Sequence, residues 1–255
     1  MIARPDRAGT ARLALRLAML AIALGVALPL HLAVRFLRLP STVPRLFLAR
    51  VARICGAVVS VHGKALTKDV FFISNHISWL DIPVLAGQTG AAFIAQAPMA
   101  DWPLIGWLAK LNRTVFVSRT DRLTVSQQIA TLRDALDHRQ PVVLFPEGTT
   151  TDGQSLLPFK PSLFEVVMRP SRKLLVQPVL LNYGSAATDI AWIGEEGAGE
   201  NAVRLLRRRG KFPVRVELLD PVDPNAFPDR KALTAEIRKR MTKALSASLG
   251  GVAIV

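Results

Sequence analysis

The hydrophobic rhythm of the chain changes near residue 61. Before that point apolar residues run together with little period. "LAMLAIALGVALPLHLAV", Leu17–Val34, is eighteen residues without a charge, bracketed by Arg16 and Arg35. At 1.5 Å per residue such a helix is roughly 27 Å long, close to the thickness of a bilayer core. Pro29 and His31 lie inside it and are expected to interrupt it. A second stretch, "VPRLFLARVARICGAVVSV" (43–61), sets Arg45, Arg50 and Arg53 among apolar residues, the pattern of a helix lying in a membrane interface. The two predict a helical hairpin dipping into one leaflet. Arginines on both sides of the first segment leave its orientation open, and no Ala-x-Ala site closes it as a signal peptide requires.

Beyond Val61 short β-rich runs alternate with helical ones. "DVFFIS" (69–74), "AAFIA" (91–95), "TVFVS" (114–118), "PVVLF" (141–145), "LLVQPVLL" (174–181) and "VRVELL" (214–219) read as strands. Pro178, inside the fifth of these, removes a ladder hydrogen bond and predicts an edge strand or a bulge. Helical spacing of Ile129, Leu132 and Leu136 predicts a helix over Thr124–His138. Another amphipathic helix, Ala232–Leu249, carries the "RKR" of 238–240. "GEEGAGEN" (194–201) reads as the most flexible loop. The expected fold is α/β: a mixed β-sheet flanked by helices, with an N-terminal membrane-inserted helical segment. The expected division is 1–60, membrane-anchoring helices, and 61–255, a catalytic domain.

Charge sharpens this division. Residues 1–60 hold nine arginines against one aspartate, while 61–200 hold twelve basic and thirteen acidic side chains. Residues 201–255 return to twelve basic against five acidic. Cationic ends around a neutral middle predict attraction to a polyanion, here an anionic membrane surface. A mean hydropathy of +0.30 is high for a soluble domain and too low for a multi-span transporter. The single cysteine, Cys55, excludes an internal disulfide and a cysteine-based zinc site, and reads as an apolar filler.

The candidate chemistry begins at "SNHISWLD", Ser74–Asp81. Positions 76 and 81 of one helix would point about 140° apart, so His76 and Asp81 meet only if His76 lies in the turn after a strand and Asp81 in the first helical turn. "SWLD" also fits a capping box begun by Ser78, so Asp81 reads equally as a helix cap or as the carboxylate orienting a base. Glu147 in "FPEGTT" and Arg119 in "TVFVSR" likewise follow strands, the place where functional groups of an open α/β sheet gather.

These stretches, in this order, resemble the motifs of the lysophosphatidic acid acyltransferase (1-acyl-sn-glycerol-3-phosphate acyltransferase) family of phospholipid/glycerol acyltransferases. Asn75, His76 and Asp81 match Asn-His-x4-Asp, and the "VFVSR" ending in Arg119 matches the second motif. Phe145–Thr149 matches the third, and Val176-Gln177-Pro178-Val179 the fourth. The resemblance spans residues 75 to 179 and implies transfer of a fatty acyl chain from acyl-CoA or acyl carrier protein to the hydroxyl of a lysolipid, turning 1-acylglycerol-3-phosphate into phosphatidic acid. It implies His76 as general base oriented by Asp81, and Asn75, Arg119, Glu147, Gly148, Thr149 and Lys160 as substrate-binding residues. Pro178 would have an acyl-chain or structural role. No metal and no cofactor beyond the acyl co-substrate is expected, nor any nucleic-acid partner, and the expected location is the cytoplasmic face of a bacterial inner membrane. The family commonly follows Glu-Gly-Thr with arginine where this chain has Thr150, and relatives using lyso-ornithine lipid resemble "EGTT-x-DG". Lysophosphatidic acid is the first expectation for the acceptor, lyso-ornithine lipid the second. A non-catalytic membrane- or polyanion-binding protein is the rival class, but aromatic content of 6% offers nucleic acid few stacking platforms. The absence of a G-x-S-x-G elbow counts against an α/β-hydrolase.

Overall fold

The computed structural model describes residues 6–102, 105–117, 140–168, 170 and 172–250. Arg119 and the helix expected over Thr124–His138 lie outside the described residues. Among these residues the sheet contains β1 (Ala57–His62), β2 (Val70–Ser74), β3 (Ala92–Gln96), β4 (Val115–Val117), β5 (Val142–Leu144), β6 (Leu175–Asn182) and β7 (Phe212–Leu218). Their spatial order is β1-β7-β6-β2-β5-β3-β4. From β6 to β4 all neighbours are parallel; β7 runs antiparallel to β6 and carries β1 parallel to itself. The sheet is therefore mixed, as the alternation predicts.

Every residue of β2 is buried, because both faces of the sheet are covered. Val70 and Phe72 pack with Val143, Val179 and Leu181 beneath α2 (Val43–Ile54), α3 (Asp81–Thr89) and α6 (Ala198–Arg207). Phe71 and Ile73 pack with Val142, Leu144, Val176 and Leu180 on the opposite face. That face is covered by α7 (Arg230–Ser248), whose Leu233, Ile237, Met241 and Leu245 recur at helical spacing and are buried. Asp229 caps α7 by accepting from Lys231 and Ala232 N–H. Between these lie two short helices, α4 (Ile105–Leu111) and α5 (Ala187–Ile190).

Four expectations change. α1 (Arg7–Phe36) runs unbroken through Pro29 and His31, 30 residues or roughly 45 Å. The stretch 43–61 is not one helix: α2 ends at Ile54, Gly56 turns the chain at φ +104°, and β1 begins at Ala57. Pro178 lies on an internal strand, not an edge. The bulge half of that expectation holds, since Val179 pairs with Leu218 but Val176 with Val222, leaving one extra residue on the partner chain opposite the proline. Gln177 fills the disturbed ladder, donating to the Lys64 and Leu219 carbonyls and accepting from Leu66 N–H. Finally, Gly194–Asn201 is a structured entry into α6. Glu196 accepts from Arg204 and Asn201 side chains, and Trp192 Nε1 donates to the Glu196 carbonyl at 2.6 Å.

α1 docks through its first half. Arg16 donates to the Leu205 and Leu206 carbonyls at 3.0 Å, and Arg12 to the Arg207 carbonyl at 2.8 Å, so two guanidinium groups satisfy the open end of α6. α2 approaches α3 so closely that a Cβ on Gly87 would lie 2.7 Å from the Ala49 Cα. Beyond Arg16 the outer surface of α1 is apolar and exposed, with Ile22, Val26 and Leu30 at 68%, 65% and 51%.

Candidate active site

β6, β2 and β5 are adjacent and parallel, so their C-terminal ends open at one edge of the sheet. The turn after β2 carries His76, the turn after β5 carries Glu147, and β6 is followed by Tyr183.

His76 and Asp81 meet as required: Nδ1 lies 2.7 Å from Asp81 Oδ2. Ile77 and Ser78 N–H donate to the same oxygen at 2.6 and 3.0 Å, and the Tyr183 hydroxyl donates to Oδ1 at 2.6 Å. The capping box is half formed. Asp81 accepts from Ser78 N–H, but α3 begins at Asp81 itself, and Ser78 Oγ faces Leu80 N–H at 3.4 Å. Asp81 thus serves the turn and the imidazole together. Because the carboxylate only accepts, Nδ1 carries the hydrogen and Nε2 of the neutral ring keeps its lone pair. The ring stacks on Phe145, centroids 3.9 Å apart and planes within 10°, and its side chain stays 17% exposed.

The remaining expected residues divide. Glu147 is buried: Oε1 accepts from His76 N–H at 3.2 Å and Oε2 from Leu157 N–H at 2.8 Å. It clips the histidine turn to the loop after β5. Burial pushes its carboxyl up to about 7, helped by the nearby Asp81 charge and opposed by the two N–H bonds and by Arg238. Gly148 makes the next turn possible at φ +73°. Thr149 is exposed, as is Lys160, whose N–H donates to the Pro146 carbonyl at 3.1 Å. Asn75, expected to bind substrate, is buried with its amide bonded at both ends to the Leu181 backbone, at 3.0 and 2.8 Å. It holds β2 against β6. Pro178 lies within the sheet, three residues before Leu181. Thr151 N–H donates to the His76 carbonyl at 2.8 Å, and the Thr150 hydroxyl donates to the Trp192 carbonyl.

Sequence reasoning missed Tyr183. Its available signal was being the only tyrosine in the chain and standing at a strand's C-terminal end. Cys55 is buried, and burial pushes its thiol up to about 12, as suits a filler.

Known proteins resemble this chain in sequence and in fold. A family model described as Acyltransferase matches residues 58–182. The lyso-ornithine lipid O-acyltransferase of Rhodobacter capsulatus is 34% identical over 91% of this chain and 89% of its own length. The 1-acyl-sn-glycerol-3-phosphate acyltransferase of Neisseria meningitidis is 30% identical over 67% of each chain. The crystal structure of the 1-acyl-sn-glycerophosphate acyltransferase PlsC from Thermotoga maritima shares the fold, with a TM-score of 0.63 and 21% identity over 81% of this chain and 78% of its own. A chain that pairs a turn-held histidine with a buried aspartate at the strand ends, and matches these enzymes along most of its length, belongs to the PlsC-type acyltransferase family and is an O-acyltransferase.

Proposed function

We propose that His76 is the general base of the transfer and that the acceptor is a phosphate-free lysolipid of the lyso-ornithine class. The observation that supports the first part is the 2.7 Å contact between His76 Nδ1 and Asp81. Nε2 takes the proton of the acceptor hydroxyl as its oxygen attacks the thioester carbonyl of acyl-CoA or acyl carrier protein. Asp81 stabilises the imidazolium as it forms. Collapse of the tetrahedral intermediate breaks the carbon–sulfur bond, and the leaving thiolate recovers the proton from Nε2. No acyl-enzyme intermediate is needed.

Thr150 supports the second part. Where an arginine would offer a bidentate phosphate ligand, this chain has a hydroxyl already donating to the Trp192 carbonyl. Four relatives, including those of Rhizobium meliloti and Brucella abortus, are named for lyso-ornithine lipid, and each is matched over at least 72% of its length. An ornithine head group bears an amine and a carboxylate in place of a phosphate. This reverses the order expected from sequence, where lysophosphatidic acid came first. The deciding assay offers wild-type protein both acceptors with one acyl donor, supplied as acyl-CoA and as acyl carrier protein thioester. Faster turnover of lyso-ornithine lipid is expected, and Thr150→Arg should raise the ratio of lysophosphatidic acid to lyso-ornithine lipid use. A wild-type preference for lysophosphatidic acid refutes the acceptor assignment and leaves the base untouched.

We also assign α1 and α2 an anchoring role at the cytoplasmic face of the inner membrane. α1 has a mean hydropathy of 2.3 over its most apolar window, only 6% of which is buried. Together with α2 it forms an apolar groove, lined by Ile22, Val26, Leu30, Leu46 and Phe47, with the exposed Arg50 at its wall. Such a surface suits acyl chains with anionic head groups above them.

A further inference from the structure

We propose that Tyr183 is a positioning residue of the acyl transfer, setting the basicity and aim of His76 through Asp81. The inference rests on the reading of His76 as general base. Tyr183 is fully buried, its ring packed near Phe212 with centroids 6.1 Å apart, and its hydroxyl donates to Asp81 Oδ1 at 2.6 Å. A buried phenol needs an acceptor, and here it takes the oxygen that the histidine turn leaves uncovered. The other oxygen, Oδ2, faces His76, Ile77 and Ser78. Donors on opposite oxygens fix the carboxylate plane, and that plane fixes the direction of the bond to Nδ1.

The phenol also draws charge from the carboxylate. Hydrogen bonds in a low-dielectric site polarise one another, so a carboxylate sharing its charge with a phenol attracts an imidazolium less strongly. Among the described residues, the side chains facing His76 are few: the Asp81 carboxylate, the Phe145 ring, the Glu147 carboxyl at its backbone N–H and the uncharged Thr151 hydroxyl at its carbonyl. Arg238 acts on Glu147, and Tyr183 reaches His76 only through Asp81. Removing the hydroxyl therefore leaves one group, Asp81, to report the change.

The test is Tyr183→Phe in the full-length protein, assayed with saturating acyl donor across pH. Turnover should fall about tenfold, the scale on which a partner one bond removed from a reacting group is felt. KM for the donor should hold, and the acid limb of the rate–pH profile should move to higher pH. In an Asp81→Asn background the same substitution should change turnover by less than about twofold, because its route to His76 is already altered. An equal loss in both backgrounds, or an unmoved acid limb, overturns the proposal and makes Tyr183 a packing residue. His76→Ala run beside them separates the two readings. If it stays active the base assignment fails; if it is inactive while Tyr183→Phe behaves as wild type, only the role of Tyr183 fails.

Discussion

Replacing Asp81 by asparagine tests how the dyad works, because the hydrogen-bond pattern predicts which way the amide will face. Three donors, His76 Nδ1–H and the N–H groups of Ile77 and Ser78, converge on Oδ2. Among the described residues only the Tyr183 hydroxyl meets Oδ1, and a hydroxyl can turn to accept. The amide oxygen should therefore take the Oδ2 position, with the NH2 group pointing to Tyr183. The histidine keeps its tautomer and loses only the negative charge behind it. Hydrogen bonds to charged groups contribute about 1.5–3 kcal/mol, roughly 1 more than neutral ones. At 1.36 kcal/mol per decade, turnover should fall about 5- to 10-fold, well short of the ~10⁴-fold loss that a reversed tautomer gives. The acid limb of the rate–pH profile should move to lower pH, as the imidazolium loses its partner. Steady-state assays with a soluble acyl thioester would measure both. Wild-type turnover in Asp81→Asn would refute the orienting role. A loss as deep as that of His76→Ala would refute the predicted amide orientation.

His76→Ala should lower turnover at least ~10²-fold and still fold, because the bonds to Glu147 and Thr151 are made by its backbone; circular dichroism with the acyl-transfer assay checks both. Deleting residues 1–60 would remove most of β1, so anchoring is better tested by Ile22→Asp with Val26→Asp on the exposed face of α1. Each charge should cost roughly 2.5–3.5 kcal/mol at bilayer depth, and the variant should leave anionic vesicles in a sedimentation assay while its melting stays unchanged. Glu147 gives a pH signature. Its carboxyl, raised by burial from the ordinary range to about 7, binds protons more tightly in the folded state. Its contribution to stability is full below the unfolded value and declines as pH rises to about 7, by about 3 kcal/mol. Denaturation of Glu147→Gln at pH 5 and 8 should lack that decline; equal slopes in variant and wild type would dismiss it.

The sheet could be read from sequence wherever a strand was short, apolar and closed by a turn residue. β2, β5 and β6 announce themselves in this way, and so do the turns that carry His76 and Glu147. β1 was hidden because "CGAVVSV" continues an apolar run with no break in composition, and only pairing with β7 makes it a strand. The loop 194–201 looked mobile because its charges have no visible partners until Arg204 folds back onto Glu196. The same limit explains Asn75. A polar residue at a strand end faces either ligand or neighbouring backbone, and the choice depends on Leu181, 106 positions away. Tyr183 is equally remote, 102 positions from Asp81. Local pattern reveals the candidate groups for chemistry but not those that hold them.

The division between held and open groups bears on how acceptor choice can change. The polar network joins three strand ends: Asp81 is held from the β2 turn and from β6, while Glu147 and Thr151 hold His76 from the loop after β5. Moving any of these shifts His76 itself, and an error of about 1 Å at a general base can cost ~10²-fold in rate. Thr150 is tied to the Trp192 carbonyl, and Trp192 N–H donates to Ile77, so even this position connects to the histidine turn. Thr149 and Lys160 have exposed side chains in the same loop. A substitution made there leaves the buried network undisturbed. Exposed side chains of the loop after β5 can therefore change while the buried bonds keep the histidine turn in place.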